Sequence, residues 1–181
     1  MPESTNITLL ELSGRFQAGG IEAVKQRYPE DKHFLVIPPE GSGQPSIVWT
    51  SQDNPITNST ALTEENKKRL LGQFANPKSI ITPICKKGRN QNDEIIFGRD
   101  NKCDIRFASK EVSKLHASLK IKNDRAFLQD LESTNGTFIN QCRMMPNCLY
   151  HVTPGQEVTF GTIRTAYIDL EHLLELVTLA T

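Results

Sequence analysis

Residues 117–128 carry the pattern that most constrains the fold of this chain. Over residues 117–122, apolar side chains alternate with serine or lysine, so a strand here has one apolar and one polar face. The pair Asn123-Asp124 follows, and both residue types favour tight turns. A second apolar run occupies residues 126–128. The pattern predicts a tight antiparallel hairpin with one buried face.

A similar sequence pattern extends over residues 80–170, where short β-rich runs are separated by turn residues. It predicts a mainly β protein built as an antiparallel β-sandwich. Pro83 lies inside the first run and cannot donate a ladder hydrogen bond, so that strand is expected at a sheet edge or at a bulge. The last leucines fall at helical spacing, which predicts a C-terminal helix over residues 171–181.

The first 78 residues indicate a small mixed α/β extension. Two apolar runs at helical spacing, residues 9–16 and 21–28, are separated by Gly19-Gly20 and predict two short helices. Further along, residues 34–37 and 47–50 are rich in β-branched and aromatic residues. These two runs predict a small hairpin.

A helix is expected from Thr63 to Phe74, because Thr63 is a suitable N-cap and the charges that follow run with the helix dipole. Asn76-Pro77 ends this helix and marks the best domain boundary in the sequence. The expected units are an N-terminal extension over residues 1–78, a β-sandwich domain over residues 79–170 and a C-terminal helix over residues 171–181.

The 181 residues carry a formal net charge of zero, which argues against bulk attraction to nucleic acid or to an anionic membrane. No apolar run approaches the roughly 18 residues of a membrane span, and the first residues lack the basic start of a secretory signal. A soluble, cytoplasmic protein is therefore expected. No metal or other cofactor is expected either, and reduced, mostly buried thiols are expected for the four cysteines, Cys85, Cys103, Cys142 and Cys148.

Three separated motifs bring together groups that suit a phosphate ester. They are Gly98-Arg99, then Ser113-Lys114-Leu115-His116, then Ser133-Thr134-Asn135-Gly136-Thr137 with Asn140 close behind. They supply a guanidinium, hydroxyls, an ammonium and an amide-rich turn, on loops between short strands. No general base, nucleophile and acid accompany them, so the motifs favour binding over catalysis.

In order and spacing these motifs resemble the forkhead-associated (FHA) family, whose members are β-sandwiches that bind phosphothreonine in partner proteins. The resemblance covers residues 80–170 and includes a closing pattern, Leu149, Gly155 and Val158-Thr159-Phe160-Gly161. It implies an FHA-like antiparallel β-sandwich with the extension before it and the helix after it.

The resemblance also implies a role for each motif residue. The phosphothreonine contacts it implies are Arg99, Ser113, Lys114, Thr134 and Asn135. The guanidinium would bind phosphate oxygens as a fork, Thr134 would contact the phosphate or the threonine methyl group, and the Asn135 amide would bind the partner's backbone. Many family members have arginine where this chain has Lys114. Structural support of the site is implied for Gly98, His116, Gly136 and Asn140.

Six further basic residues lie near the motifs in the sequence. Such a spread can merely solvate a surface, or it can raise the local positive potential and attract an acidic phosphopeptide. The sequence leaves both alternatives open. The residues are Lys86, Lys87, Arg89, Lys102, Arg106 and Lys110.

The expected function is that of a non-enzymatic module for protein–protein interaction. It would recruit phosphothreonine-containing partners after an upstream Ser/Thr protein kinase has modified them, with no nucleic acid or membrane partner. One alternative is a structural or assembly protein that uses the sandwich for phosphorylation-independent binding. A second is an enzyme centred on Ser113 and His116 or on a cysteine, which is disfavoured because no third catalytic residue is evident.

Overall fold

The computed structural model describes residues 6–29, 33–39, 64–87 and 93–180. Within these residues the helices are α1 (Leu9–Arg27), α2 (Glu64–Phe74) and α3 (Leu170–Leu179). The strands are β1 (Ile7–Thr8), β2 (His33–Ile37), β3 (Ile80–Pro83), β4 (Glu94–Gly98), β5 (Ile105–Arg106), β6 (Ala117–Lys122), β7 (Arg125–Asp130), β8 (Thr137–Ile139), β9 (Cys142–Arg143), β10 (Leu149–Val152), β11 (Gln156–Phe160) and β12 (Ile163–Asp169).

The strands form two sheets around a shared apolar core. The larger sheet has the order β1-β3-β2-β12-β11-β8-β9, and the smaller sheet has the order β10-β7-β6-β4-β5. The pairings are antiparallel except between β4 and β5, which run parallel. The stacked rings of Phe97 and Phe160 lie in this core, with centroids 5.0 Å apart. The predicted antiparallel β-sandwich is confirmed.

Helices cover the outer face of the larger sheet. A second apolar cluster joins residues of α1, α2 and α3 to Phe34 of β2 and Ile168 of β12, whereas the neighbouring Leu35 and Tyr167 belong to the core between the sheets. Successive side chains of a strand point to opposite faces, so β2 and β12 are buried on both sides. This double burial explains why β2 is an almost continuous apolar run instead of an alternating one.

The predicted N-terminal extension contributes strands to the larger sheet. β2 pairs with β12, where Val36 lies opposite Ala166, and also with β3. The predicted boundary after residue 78 therefore crosses one continuous sheet, because β1 and β2 precede it and β3 follows it. The mixed α/β content of this region is confirmed, and its division from the sandwich as a separate unit stays a prediction. The predicted hairpin strand over residues 47–50 and the predicted N-cap Thr63 lie outside the described residues.

Helix α1 is kinked at the glycine pair that the sequence marks as a break. Gly20 has φ 63° and ψ −154°, which no helix contains. Thr8 caps the first segment: its side chain accepts the Glu11 N–H, and the Glu11 carboxylate accepts the Thr8 N–H at 3.0 Å. The helix restarts after the kink, so the periodicity of the first segment does not carry over, and Ile21 is 47% exposed.

The β6–β7 hairpin and the position of Pro83 agree with prediction. Asn123 and Asp124 form a two-residue turn with φ angles of 52° and 57°, the conformation that suits a tight hairpin. Pro83 ends β3 opposite Phe34 of β2, beyond the two residues of β3 with which β1 pairs. Among the described strands it therefore has a neighbour on one side only, where the missing N–H is tolerated.

The C-terminal helix is confirmed as α3, and the Asp169 side chain caps it by accepting the His172 N–H at 3.0 Å. In the part of the chain that the structure describes, no helix combines the length and the apolar character needed to span a bilayer. Of the four cysteines Cys103 is buried, Cys85 and Cys142 are half-buried, and Cys148 is exposed in the loop before β10. The expectation of mostly buried thiols is therefore wrong.

Candidate functional site

Three loops bring the predicted contact residues together. Arg99 follows β4, Ser113 and Lys114 precede β6, and Thr134 and Asn135 lie between β7 and β8. The Arg99 N–H donates to the Ser113 carbonyl oxygen at 2.9 Å, and the Thr134 N–H donates to Ser113 Oγ at 3.0 Å. Ser113 thus links the other two loops, and the three form one cluster.

The predicted residues divide into two groups by burial. In the first group Ser113 is half-buried and the rest are exposed; these outer residues are Arg99, Ser113, Lys114, Thr134 and Asn135. The second group is buried throughout; these inner residues are Gly98, His116, Gly136 and Asn140. A ligand can meet the outer residues directly, whereas the inner residues act on it only through their neighbours.

His116 ties two of the loops together from beneath. Its Nδ1 accepts the Ser113 backbone N–H at 3.0 Å, and its Nε2 lies 3.1 Å from the Gly136 carbonyl oxygen. Because Nδ1 is an acceptor, the proton of the neutral ring is on Nε2, which donates to Gly136. The side chain is 0% exposed, and this burial lowers the pKa of His116 below its ordinary value. A neutral ring in one tautomer therefore sets the spacing of the loops.

The same geometry does not make a catalytic pair of Ser113 and His116. The ring accepts the backbone N–H of Ser113 and not its hydroxyl, and its second nitrogen is engaged by Gly136. A general base must reach the proton that it removes. The described residues also contain no group of three or more potential metal ligands. Ser113 and His116 are thus not arranged as a nucleophile and its general base.

Gly98 allows β4 to approach the loop that carries Lys114. A Cβ atom at Gly98 would overlap the Lys114 carbonyl oxygen and would lie 2.9 Å from Cys103 Sγ. That carbonyl oxygen accepts the Asp100 N–H at 3.1 Å and the Cys103 thiol at 3.2 Å. Any side chain at residue 98 would therefore push the Lys114 loop away from Arg99.

Gly136 has a φ of 86°, which glycine tolerates better than other residues. Its carbonyl oxygen accepts the Gly161 N–H at 2.9 Å in addition to the His116 ring. A Cβ atom here would lie 2.7 Å from Nε of Arg143, an exposed residue of β9. Arg143 is a cation beside the Thr134 loop that sequence reasoning missed, because only the β8–β9 turn brings it there.

A buried carboxylate, also missed, fixes the turn between β7 and β8. Asp130 is 1% exposed and accepts the Ser133 N–H at 3.0 Å, the Ser133 hydroxyl at 2.6 Å and the Thr137 hydroxyl at 2.5 Å. Burial by itself would raise the pKa of Asp130, but the hydrogen bonds from Ser133 and Thr137 outweigh it and hold the pKa below its ordinary value. An aspartate three residues before a serine is the signal that would have identified this turn.

Asn135 is held by Glu111, a third residue that sequence reasoning missed. The Asn135 Nδ2 donates to the Glu111 carbonyl oxygen at 2.8 Å and to its carboxylate at 2.9 Å. With both N–H groups engaged, the amide oxygen of Asn135 is the atom that can accept an N–H from a ligand. The two residues are 24 positions apart, so the pairing depends on the tertiary fold.

Asn140 supports the site from a neighbouring turn. It follows β8 with a φ of 47°, its N–H donates to the Glu157 carbonyl oxygen at 2.9 Å, and its side-chain oxygen accepts the Glu157 N–H at 2.9 Å. These bonds fix the β8–β9 turn to β11. Gly161, which follows β11, in turn bonds to Gly136.

The outer residues present the donors that a phosphate monoester requires. The Arg99 Nε–H donates to the Val112 carbonyl oxygen at 3.2 Å, which orients the guanidinium so that its terminal N–H groups can serve a ligand. The hydroxyl oxygens of Ser113 and Thr134 lie 3.4 Å apart, and the exposed Lys114 adds a second positive charge. Two cations and two hydroxyls can surround one dianion.

Comparisons with known proteins find similarity to one family over the part of the chain that contains the site. A family model described as the FHA domain matches residues 95–161. Protein FraH of a Nostoc species is 34% identical over 56 residues, which are 30% of this chain and 19% of that protein. The nuclear inhibitor of protein phosphatase 1 of Homo sapiens is 35% identical over 75 residues, which are 40% of this chain and 21% of that protein. The match thus spans about a fifth of the length of these curated relatives.

Solved structures with a similar fold are FHA domains. The FHA domain of CT664 protein from Chlamydia trachomatis is 17% identical, with a TM-score of 0.47, and the match covers 76% of this chain and 97% of that chain. The N-terminal FHA domain of Rad53p from S. cerevisiae, solved with a phosphothreonine peptide, is 19% identical, with a TM-score of 0.43 and coverage of 52% and 88%.

Proposed function

We propose that this protein binds phosphothreonine in a partner protein, since residues 95–161 match the family model of the forkhead-associated (FHA) domain. The observation that carries the proposal is the arrangement of the predicted site: the outer residues rest on buried inner residues, among which the His116 ring is hydrogen-bonded to both Ser113 and Gly136. A ligand can therefore be met by preorganised donors, which lowers the cost of ordering loops on binding.

The phosphate group is bound by the cations and hydroxyls of the outer residues. A phosphorylated threonine carries about −1.5 to −2 charges and three acceptor oxygens. The Arg99 guanidinium donates through its terminal N–H groups, and Lys114 adds a mobile positive charge. The Ser113 hydroxyl, which is 3.4 Å from the Thr134 hydroxyl in the free protein, turns to donate to the phosphate.

The peptide around the phosphothreonine is recognised by the loop between β7 and β8. Glu111 holds both N–H groups of the Asn135 amide, so Asn135 contributes its oxygen as an acceptor for a backbone N–H of the peptide. Thr134 lies next to it and lines the position of the threonine methyl group. Together these two residues distinguish a phosphothreonine peptide from a free phosphate ion.

Binding of this kind is switched on by a Ser/Thr protein kinase that modifies the partner. The protein then acts as a recruitment module in the cytoplasm, without chemistry of its own and without a nucleic acid or membrane ligand. An exposed loop surface of this size is consistent with a dissociation constant of roughly micromolar order, about −8 kcal/mol.

A binding screen against a degenerate phosphothreonine peptide library, paired with the same library unphosphorylated, tests the proposal. We expect retention of phosphorylated sequences only, together with a preference for particular flanking residues. Equal retention of both libraries would support instead the structural alternative, in which the sandwich binds its partner independently of phosphorylation. Retention of neither library would contradict the proposed function.

A further inference from the structure

An open groove with a strongly basic lining extends from the outer residues. Its volume is about 480 Å³. Its charged lining consists of four cations and one carboxylate, namely Arg99, Arg106, Lys110, Lys114 and Asp100. Only Arg99 and Lys114 of these cations are assigned to the phosphothreonine phosphate. The other two cations of the groove, Arg106 and Lys110, are therefore available to bind a further anionic group.

Backbone pairing determines where Arg106 lies. β5 runs parallel to β4 with Arg106 opposite Gly98, and the Phe107 N–H donates to the Gly98 carbonyl oxygen at 2.9 Å. The Arg106 Nε–H donates to the Arg99 carbonyl oxygen at 3.1 Å. The side chain is nevertheless exposed. Its guanidinium is thus held beside Arg99, with its terminal N–H groups available to a ligand in the groove.

The loop before Ser113 separates positive from negative charge. A turn closed by the Val112 N–H on the Ser109 carbonyl oxygen, at 3.3 Å, carries Lys110 and Glu111 at its tip. Lys110 lines the groove, whereas Glu111 binds Asn135. The turn therefore adds a cation to the groove and a carboxylate to the Asn135 side, where the Arg143 cation also lies.

The cations of the groove are not neutralised within the described part of the chain. None of the ion pairs found there includes Arg99, Arg106, Lys110 or Lys114. Asp100, the one acid of the lining, accepts the Lys102 backbone N–H at 2.9 Å. Unpaired cations that surround one groove repel each other, and an anion bound among them relieves the repulsion.

On the basis of the proposed function, we infer that the preferred ligand carries a second anionic group near its phosphothreonine, and that Arg106 and Lys110 bind it. The second group is either another phosphate monoester or one or more carboxylates, since both suit a guanidinium and an ammonium. It lies on the groove side of the phosphothreonine, because Arg106 and Lys110 line that groove. Of the six basic residues near the motifs, Arg89 lies outside the described residues, and among the other five the structure assigns this role to Arg106 and Lys110.

Calorimetry with synthetic peptides tests the inference. A phosphothreonine peptide with neutral flanks is compared with peptides that carry phosphoserine, or glutamate, at each nearby position in turn. Peptides that carry the second anion on one side of the phosphothreonine should bind about tenfold more tightly than the neutral peptide. This gain corresponds to about 1.4 kcal/mol. The phosphoserine and glutamate series separate the two sources of negative charge. The gain should shrink as salt is raised, since the residues are exposed.

Substitutions in the groove test whether Arg106 and Lys110 cause the gain in affinity. Arg106→Gln and Lys110→Gln, singly and together, should reduce the gain while the affinity for the neutral peptide changes by less than about threefold. Arg106→Lys should retain most of the gain, which separates loss of charge from disturbance of Arg99. Lys122→Gln, at the far end of β6, is the matched control and should retain all of it.

Three outcomes would overturn the inference. If the neutral peptide binds but no second anion gives a gain that depends on Arg106 or Lys110, the inference is wrong and the proposed function stands. If no phosphothreonine peptide binds, both are wrong. If single-stranded DNA displaces the doubly anionic peptide at equal concentration, the groove is a general polyanion site and not a peptide subsite.

Discussion

The outer and inner residues are hydrogen-bonded neighbours in opposite environments. Thr134 and Lys114 are exposed, whereas His116 and Asn140 are fully buried. The outer group contributes charge and hydroxyls, which stabilise the folded chain little where they meet water. The inner group contributes close approach and buried hydrogen bonds, which the fold depends on. Changes in the outer group should therefore alter binding alone, and changes in the inner group should alter stability as well.

The largest effect is expected from the carboxylate beneath the inner residues. Asp130→Ala leaves the Ser133 N–H, the Ser133 hydroxyl and the Thr137 hydroxyl without their acceptor in a buried place. An unsatisfied buried donor costs about 1 to 3 kcal/mol, so the free energy of unfolding should fall by at least about 3 kcal/mol. Urea denaturation measures it, with the exposed Asp93→Ala as control. If Asp130→Ala were as stable as the control, the inner residues would not differ from the outer residues in their contribution to stability.

Arg99→Ala should give the largest effect that is confined to binding. Loss of a charged partner of the phosphate costs about 2 kcal/mol or more, so affinity for a phosphothreonine peptide should fall at least about thirtyfold. The free energy of unfolding should not change, because the side chain is exposed. Arg125→Ala, in the β6–β7 hairpin, is the control for charge. Unchanged binding by Arg99→Ala in calorimetry would show that the proposed site is wrong.

His116→Ala should lower both the free energy of unfolding and the affinity for a phosphothreonine peptide. It removes the acceptor of the Ser113 N–H and a donor to the Gly136 carbonyl oxygen, at a cost of about 1 to 3 kcal/mol in unfolding free energy. The loops then lose their spacing, and peptide affinity falls with the melting temperature. Scanning calorimetry measures the melting temperature, and peptide titration of the same sample measures the affinity. If His116→Ala lost binding but kept its full stability, His116 would be a direct ligand contact like the outer residues and not a structural support.

A smaller effect is expected from the threonine methyl group of the ligand. Burying one methyl group is worth about 1 kcal/mol, so a phosphothreonine peptide should bind about fivefold more tightly than its phosphoserine counterpart. Thr134→Ser serves as the matched variant, since it retains the hydroxyl and loses a methyl group from the same loop. Equal affinities for the two peptides would contradict a methyl pocket beside Thr134 and Asn135.

The smallest effect is a pH dependence of the inner group. Burial lowers the pKa of His116 in the folded chain below its ordinary value of 6.5, so the unfolded chain binds more protons between those two values. The stabilisation from His116 is complete above pH 6.5 and decreases as the pH falls below it. The difference in unfolding free energy between the wild type and His116→Ala should therefore shrink on acidification. The hydrogen bond to Asp169 raises the pKa of His172, whose contribution has the opposite sign but is common to both proteins. A difference that does not vary with pH would contradict the lowered pKa and the neutral ring assigned to His116.

Much of the fold followed from local patterns. Alternation and the Asn123-Asp124 turn predicted the β6–β7 hairpin, and Gly19-Gly20 predicted the break in α1, because both depend on a few adjacent residues. The place of β2 in the larger sheet could not be predicted in this way. Its partner β12 lies more than a hundred residues away, and pairing at that distance is decided by burial of both faces and not by local preference.

For the site, motif order and residue type predicted the outer and inner residues, and the structure brings the three motifs into one cluster. Their roles in binding stay predictions. Asp130, Glu111 and Arg143 were missed, because each acts on a loop that is separate from it in the sequence or closes a turn with ordinary side chains. Charge counts alone likewise could not separate Arg106 and Lys110 from the other basic residues.

The sequence by itself determined which chemical groups this protein can offer to a phosphate and which backbone positions need glycine, since both are properties of single residues and their immediate neighbours. Only the tertiary structure decided which of those groups face solvent, which cations share a groove and which tautomer His116 adopts. Parallel pairing of β4 with β5 puts Arg106 beside Arg99, and the packing of three loops excludes water from His116. These outcomes depend on distances between segments remote in sequence, which are set when the two sheets and the helical layer bury their apolar faces together.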